Sequence, residues 1–241
     1  MAVYTEVGFD EADRLVRRLG LGALTELRGI RSGIENTNYY ATTARGQWVL
    51  TLFERLTREQ LPYYLRLMEH LARHGVPVPA PQGDDRGELL HSVAGKPAAV
   101  VTRLPGSHRL APDAAHAAQV GAMLARAHVA AADFAFQQPH LRGPAWWQQV
   151  APQVLPHLQP DTADLLQCEL DFQLELAASP AAAALPRGHI HADLFRDNVM
   201  FDETAAEDRL CGFFDDYFAG VDALLADVAA CLNDWCCDLD S

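Results

Sequence analysis

Three polar residues near the carboxyl-terminal end constrain the fold of this 241-residue chain more than any other feature. Asp193 is followed five residues later by Asn198, and Asp215 comes seventeen residues after Asn198. Residues 199–201 and 210–214, between the last two, are apolar and typical of short buried strands. The pattern predicts a strand-loop-strand platform with these side chains at its ends. Because Asp and Asn are common in turns, the spacing alone also fits ordinary loop residues.

The three residue types match the needs of phosphoryl transfer. Such a site requires one carboxylate to accept or orient the attacking hydroxyl, and an amide oxygen and a second carboxylate to hold magnesium against nucleotide phosphates. Asp193 fits the first role, and Asn198 and Asp215 fit the second. The sequence therefore predicts a catalytic site that uses ATP and Mg²⁺.

A zinc site is the rival interpretation of the same region. His189, His191 and Asp193 alternate as in the first metal-binding strand of some hydrolase barrels. Such a site needs further ligands on later strands, but His191 is the last histidine and only fifty residues follow it. The sequence argues against this interpretation.

Composition narrows the class of protein. With 49% hydrophobic residues, the chain can bury a sizeable core. It has no apolar run of about 18 residues and an acidic amino terminus, so we expect a cytoplasmic protein that does not enter membranes. A net charge of −13 argues against nucleic-acid binding. Five cysteines without a paired motif indicate neither a disulfide framework nor a zinc ribbon.

The order of predicted elements indicates an α+β fold with two lobes. Residues 1–103 are predicted as a small antiparallel β lobe that binds nucleotide, and residues 104–241 as a mostly helical lobe that carries the catalytic and metal loops. Predicted strands cover residues 23–31, 38–43, 47–53, 87–91 and 97–103. Predicted helices cover residues 10–19, 57–74, 112–132, 146–155, 161–177 and 221–236.

The tip of the first hairpin is the predicted phosphate-binding loop. It contains one glycine, so its signal is weak, and an ordinary polar hairpin is the alternative. Its hydroxyls, side-chain amides and exposed backbone amides suit phosphate oxygens or a small substrate. The candidates are Ser32, Gly33, Asn36, Thr37 and Asn38.

Several segments resemble the homoserine kinases of the aminoglycoside-phosphotransferase-like superfamily, and the resemblance runs through essentially the whole chain. It is carried by residues 33–39 (GIENTNY), 48–54 (WVLTLFE), 95–98 (GKPA), 191–198 (HADLFRDN) and 233–236 (NDWC). The resemblance implies a protein-kinase-like fold with two lobes. It also implies phosphorylation of the L-homoserine hydroxyl, with ATP and Mg²⁺.

By that resemblance, Asp193 orients or deprotonates the hydroxyl, while Asn198 and Asp215 coordinate magnesium. Homoserine is a zwitterion, so its pocket should offer a carboxylate to the ammonium group and a cation or backbone amides to the carboxylate. The candidates are Glu35, Arg196, Asp197 and Asp234. Two of them have alternative roles: Arg196 pairs with a neighbouring carboxylate in its loop, and Asp234 is a helix-packing residue.

The nucleotide clamp departs from the superfamily pattern. Thr51 occupies the place of the lysine that many members carry on the third strand. The chain has a single lysine, Lys96, against eighteen arginines. The cationic clamp is therefore predicted to be Lys96 or an arginine such as Arg31 or Arg55.

Two further departures concern the active-site loops. Ala192 replaces the glycine of the usual His-Gly-Asp sequence, which matters only if that position needs a positive φ. Asp216 stands where an aromatic residue commonly follows the metal-binding aspartate, and it either joins the metal site or, unless it is solvated, repels and misplaces it.

The end of the chain is the last departure. The resemblance implies further helices after residues 233–236, whereas this chain ends at Ser241. We therefore expect apolar residues of the last helix to lack cover and to favour self-association; these are Leu224, Leu225, Val228 and Leu232. The alternatives to a homoserine kinase are a non-catalytic kinase-like module and a kinase for another alcohol, such as an aminoglycoside, choline or a sugar.

Overall fold

The computed structural model describes residues 4–31, 33, 35–202, 204 and 208–237. Its strands are β1 (Leu24–Gly29), β2 (Asn36–Thr43), β3 (Gly46–Phe53), β4 (His91–Val93), β5 (Lys96–Thr102), β6 (Arg187–Ile190), β7 (Val199–Asp202), β8 (Arg209–Phe213) and β9 (Gly220–Ala223). Its α-helices are α1 (Phe9–Arg18), α2 (Leu61–Arg73), α3 (Ala114–Ala130), α4 (Pro144–Val154), α5 (Pro160–Ala177), α6 (Pro180–Ala183) and α7 (Leu224–Trp235). Short 3₁₀ turns cover Leu155–His157, Arg196–Asn198 and Asp216–Phe218.

The chain divides into two compact units. The first comprises residues 1–110 and 199–214, and the second comprises residues 111–198 and 215–241. The hairpin of β7 and β8 thus groups with the amino-terminal part. The predicted boundary between residues 103 and 104 stays a prediction.

An antiparallel sheet in the order β1-β2-β3-β5-β4 forms the centre of the first unit. Strand β2 turns one face to the core, because its residues alternate between half-buried and buried along its whole length. The buried side chains Tyr39 and Ala41 join Leu50 of β3 in one core. Helix α1 adds Leu15 and Val16 to that core and so covers this face of the sheet.

Two predicted boundaries in the first unit were wrong. Helix α2 starts at Leu61 rather than Thr57, although one bond of the predicted capping box is present, in which the Thr57 amide donates to Gln60 Oε1 at 3.0 Å. The strand predicted at residues 87–91 is instead β4, which meets β5 through a turn at Ala94 and Gly95 with positive φ angles of 49° and 73°.

Helices and one short ribbon build the second unit. Strands β6 and β9 pair antiparallel, with Ile190 opposite Gly220 and Arg187 opposite Ala223. The helix predicted from residue 221 begins only at Leu224, because residues 220–223 extend to pair with β6. Sequence periodicity did not reveal this pairing across more than thirty residues.

The last helix exposes much of its apolar surface. Leu225, Val228 and Leu232 are 52%, 39% and 55% exposed. Three of the four residues that were expected to lack cover are thus exposed, whereas Leu224 is half-buried, and self-association itself stays a prediction. Among the described residues, none of the helices combines the length and the apolar character needed to cross a membrane.

Candidate active site

The ribbon of β6 and β9 brings the two predicted active-site loops to one end of the second unit. The loop that carries Asp193 follows the carboxyl end of β6, and the loop that carries Asp215 precedes the amino end of β9. These two ends are neighbours because the strands run antiparallel and Ile190 pairs with Gly220. The ribbon of β6 and β9, which the sequence did not predict, therefore places the two loops at the same end.

Asp193 and Asn198 form a direct pair. The Asn198 amide nitrogen donates to the Asp193 carboxylate at 3.0 Å and to its backbone carbonyl at 2.8 Å. These bonds fix the Asn198 side chain, whose amide oxygen remains as the acceptor. Burial raises the pKa of half-buried Asp193, although the charge of His191, the Asn198 bond and the charge of Arg142 oppose the shift. Asp193 is thereby a stronger proton acceptor than an exposed aspartate.

Backbone strain is concentrated in these loops. Ala192 has φ of 66° and Asp215 has φ of 73°, both in the left-handed region. The position of Ala192 thus needs the positive φ that a glycine would adopt without penalty. The amide of Asp193 donates to His191 Nδ1 at 3.2 Å, so His191 contacts the loop it precedes. His189 bonds the carbonyl of Phe134 at 3.3 Å instead of pointing to a shared metal site with His191.

Replacing Ala192 by Gly is expected to stabilise the protein by about 1 kcal/mol, because it removes the left-handed penalty of a non-glycine residue. The melting temperature should rise by roughly 2–4 °C. The matched control is Ala118→Gly on the exposed surface of α3, where the same change should destabilise the helix. A lowered melting temperature for Ala192→Gly would show that the loop does not carry this strain.

Asp227 of α7 holds the backbone of the catalytic loop, a role that sequence reasoning missed. Its carboxylate accepts from the amide of His191 at 2.8 Å and from the amide of Ala192 at 2.7 Å. It also contacts His128 Nε2 of α3 at 2.8 Å, and it is completely buried. One carboxylate thus ties two helices to the strained turn that precedes Asp193.

Asp216 turns into the interior of the second unit. It is 1% exposed, and its Oδ2 atom has no hydrogen-bond partner among the described residues. Burial raises its pKa, an effect opposed by the nearby charge of His191. The side chain therefore lies in protein rather than in solvent, so the solvation that was expected to relieve its repulsion of the metal site is absent at this residue.

Two of the predicted substrate residues bind each other. The carboxylate of Asp234 accepts from the Arg196 backbone amide at 2.7 Å and from Arg196 Nε at 3.2 Å. The guanidinium also donates to the Asp234 backbone carbonyl, and Arg196 is 9% exposed. The sequence predicted a carboxylate of the same loop as the alternative partner of Arg196, whereas the partner is Asp234 of helix α7, so this pair fixes the loop to that helix. Asp197, the neighbouring candidate, is exposed.

A polar cluster in the first unit contains the predicted clamp. Lys96 Nζ lies 2.5 Å from Glu54 Oε2, at one end of the sheet. The Thr37 hydroxyl donates to Glu54 Oε1 at 2.7 Å and accepts from the amides of Tyr4 and Thr5. Although burial opposes it, these hydrogen bonds hold the pKa of Glu54 below its usual range. Lys96 and Thr37 therefore meet on Glu54.

The other hairpin candidates lie on or beside β2. Asn38 accepts from the Thr51 hydroxyl at 2.7 Å, which links it to the residue in the usual lysine position. Asn36 is half-buried at the start of β2, and Gly33 has φ of 95°. Glu35 lies 3.7 Å from Arg55. Ser32 falls outside the described residues.

Comparison with known proteins identifies relatives along the whole chain. The profile of the phosphotransferase enzyme family matches residues 26–241. The homoserine kinase of Polaromonas naphthalenivorans is 56% identical over 241 residues, which cover 100% of this chain and 75% of that protein. The homoserine kinase of Cupriavidus pinatubonensis is 52% identical over 245 residues, which cover 100% of this chain and 74% of that protein.

Solved structures share the fold at lower identity. An amicoumacin kinase in complex with AMP-PNP, Ca²⁺ and Ami has a TM-score of 0.68 at 18% identity, covering 92% of this chain and 68% of that one. A spectinomycin phosphotransferase in complex with ADP and spectinomycin has a TM-score of 0.67 at 12% identity, covering 93% and 73%. These similarities confirm the predicted α+β, kinase-like fold class.

Proposed function

The chain belongs to the phosphotransferase enzyme family, and from this we propose that it transfers the γ-phosphoryl group of ATP to the side-chain hydroxyl of L-homoserine. The observation that carries the proposal is the half-buried Asp193 carboxylate, fixed by Asn198 and raised in pKa by burial. Its relatives of 56% and 52% identity, both homoserine kinases, support the choice of substrate.

In the proposed reaction, the homoserine hydroxyl oxygen forms a bond to the γ-phosphorus while the bond between that phosphorus and the bridging oxygen of ADP breaks. The hydroxyl proton passes to the Asp193 carboxylate, and the bond electrons leave with ADP. Phosphoryl transfer needs little covalent help from a protein, so alignment of the hydroxyl is the main contribution of Asp193. Its bonds with Asn198 supply that alignment, because they hold the carboxylate in one orientation.

The donor set suits a hard divalent cation. Asn198 offers an amide oxygen and Asp215 a carboxylate, and oxygen ligands of this kind are those that Mg²⁺ prefers. We assign these two residues to the magnesium site. The ion supplies positive charge against the phosphate oxygens when it is bound. The Asn198 amide nitrogen is already bonded to Asp193, which leaves its oxygen as the ligand atom.

The nucleotide assignments rest on the first unit. We propose that the backbone of the turn at Gly33 and the polar side chains of Asn36 and Asn38 contact the ATP phosphates. Lys96 and Thr37 act through Glu54, which both of them contact. In this arrangement Lys96 contributes a positive charge near the sheet end, and Thr37 fixes the start of β2.

The test is phosphoryl transfer by the purified 241-residue chain with ATP and Mg²⁺. We expect L-homoserine to stimulate ADP release and to yield a phosphomonoester that phosphorus NMR detects, with kcat/KM at least tenfold above that for choline, an aminoglycoside or a hexose. Preference for one of those alcohols would replace the substrate assignment. A folded chain that binds MgATP and phosphorylates none of them would support the non-catalytic alternative.

A further inference from the structure

A zwitterionic substrate needs a cation for its carboxylate, and the second unit holds only four arginines and no lysine. Arg196 is committed to three contacts with Asp234. Arg187 lies at the amino end of β6, opposite Ala223 and at the end of the ribbon away from the active-site loops. Arg142, by contrast, lies beside Phe218, three residues after Asp215 at the end of the ribbon that carries the active-site loops. No sequence motif marks Arg142.

Arg142 is exposed and lies over an aromatic side chain next to the metal loop. Its Cζ atom is 4.1 Å from the centre of the Phe218 ring and 6.0 Å from that of Trp146. Phe218 closes the 3₁₀ turn that starts directly after Asp215. A guanidinium that lies over a ring keeps its N–H donors at its edge, where they suit bidentate binding of a carboxylate.

The segment that carries Arg142 is held rigidly against β9. The amide of Val221 donates to the Gln138 carbonyl at 2.7 Å, and Pro139 pairs with Val221 in a parallel bridge. A Cβ atom at Gly220 would lie 2.5 Å from His140 Cα, so only glycine permits this approach. His140 Nδ1 lies 3.3 Å from Asp222. The segment is therefore anchored within two residues of Arg142, so the guanidinium is presented from a fixed base.

We propose that Arg142, supported by Phe218, binds the α-carboxylate of the amino-acid substrate and so presents the hydroxyl to Asp193. This rests on the proposed function and deepens it by naming the residue that selects a carboxylate-bearing alcohol. The other oxyanion present in the reaction is the transferring phosphoryl group. If Arg142 binds the substrate carboxylate, KM for homoserine depends on it. If Arg142 binds the transferring phosphoryl group, kcat depends on it.

The experiment compares the unchanged chain with Arg142→Gln, Arg142→Lys and Arg126→Gln, an exposed arginine on α3 that serves as the matched control. Each is assayed with L-homoserine and with L-homoserine amide, which keeps the hydroxyl and the ammonium but lacks the carboxylate charge. The amide is also measured as a competitor of homoserine. Melting temperatures establish that the variants are folded.

We expect Arg142→Gln to raise KM for homoserine roughly ten- to hundredfold, the size of a lost charged hydrogen bond. We expect kcat to stay within threefold, and the constants for the amide to change less than twofold. Arg142→Lys should recover part of the loss, and Arg126→Gln should match the unchanged chain. An equal loss for both ligands, a loss confined to kcat, or no loss would overturn the inference.

These outcomes separate the two proposals. If the unchanged chain phosphorylates homoserine but Arg142→Gln behaves like it, the proposed function stands and the role of Arg142 falls. If the unchanged chain does not phosphorylate homoserine, the proposed function falls first and the role of Arg142 falls with it. A selective loss of homoserine affinity in the variant supports both.

Discussion

Replacing Asp193 by Asn is expected to lower kcat for homoserine phosphorylation by roughly 10²–10⁴-fold, the range over which a positioned proton acceptor contributes. Asparagine has nearly the same shape, and its side-chain oxygen can still accept from Asn198, which now donates to the carboxylate at 3.0 Å. It cannot take up the hydroxyl proton. Steady-state release of ADP with saturating homoserine measures the effect.

Binding of MgATP is the control for this variant. Its dissociation constant, measured by calorimetry, should change less than threefold, since Asp193 is assigned to the hydroxyl rather than to the metal. Asp164→Asn, which removes an exposed carboxylate from α5, should leave turnover unchanged. If Asp193→Asn kept kcat within threefold, the hydroxyl proton would have another acceptor and the assignment of Asp193 would be wrong.

The part of the site that is local in sequence could be predicted. Asp193 and Asn198 are joined by a short turn, so their spacing alone brings an amide within reach of a carboxylate. The apolar runs before and after the acidic loop predicted β7 and β8, and the structure has both. The sequence also indicated that Ala192 matters if its position needs a positive φ, and φ of Ala192 is 66°. Turn geometry and strand patterns depend on residues that are close in the sequence, so a single sequence is enough to predict them.

Contacts between distant segments could not be predicted in the same way. Arg196 and Asp234 are 38 residues apart, and the sequence predicted for each a separate alternative to substrate binding without indicating that they bind each other. The pairing of β6 with β9 was missed because four-residue strands show too little periodicity, and the apolar residues of β9 were assigned to the following helix. Arg142 was missed because Phe218, over which it lies, is 76 residues away in the sequence and adjoins it only in the fold.

Asp227 did leave a signal in the sequence. On a helix, residues four apart share a face, and Asp227, Cys231 and Trp235 are the buried residues of α7. An aspartate in the apolar series of an amphipathic helix must find partners inside the protein, because a buried charge without them is costly. The pattern thus indicates an internal role for Asp227, although it does not identify the amides of His191 and Ala192 as its partners.

We expect Asp227→Ala to destabilise the protein by about 3–5 kcal/mol, the usual cost of removing one partner from a buried charged cluster. The melting temperature should fall by roughly 10 °C or more. Two backbone amides and His128 lose their acceptor together, which leaves buried donors unsatisfied. Turnover should fall as well, because these amides lie in the turn that sets the position of Asp193.

The milder change Asp227→Asn separates the two effects of that loss. Its one side-chain oxygen can serve one of the amides at His191 and Ala192, while its amide group faces the other donor. Its melting temperature should therefore lie between those of the unchanged chain and Asp227→Ala. Asp164→Ala, on the exposed face of α5, controls for the loss of a carboxylate and should shift the melting temperature by less than about 2 °C. If Asp227→Ala melted like this control and kept its turnover, the catalytic loop would hold its left-handed turn without α7, and the buried carboxylate would not be what positions Asp193.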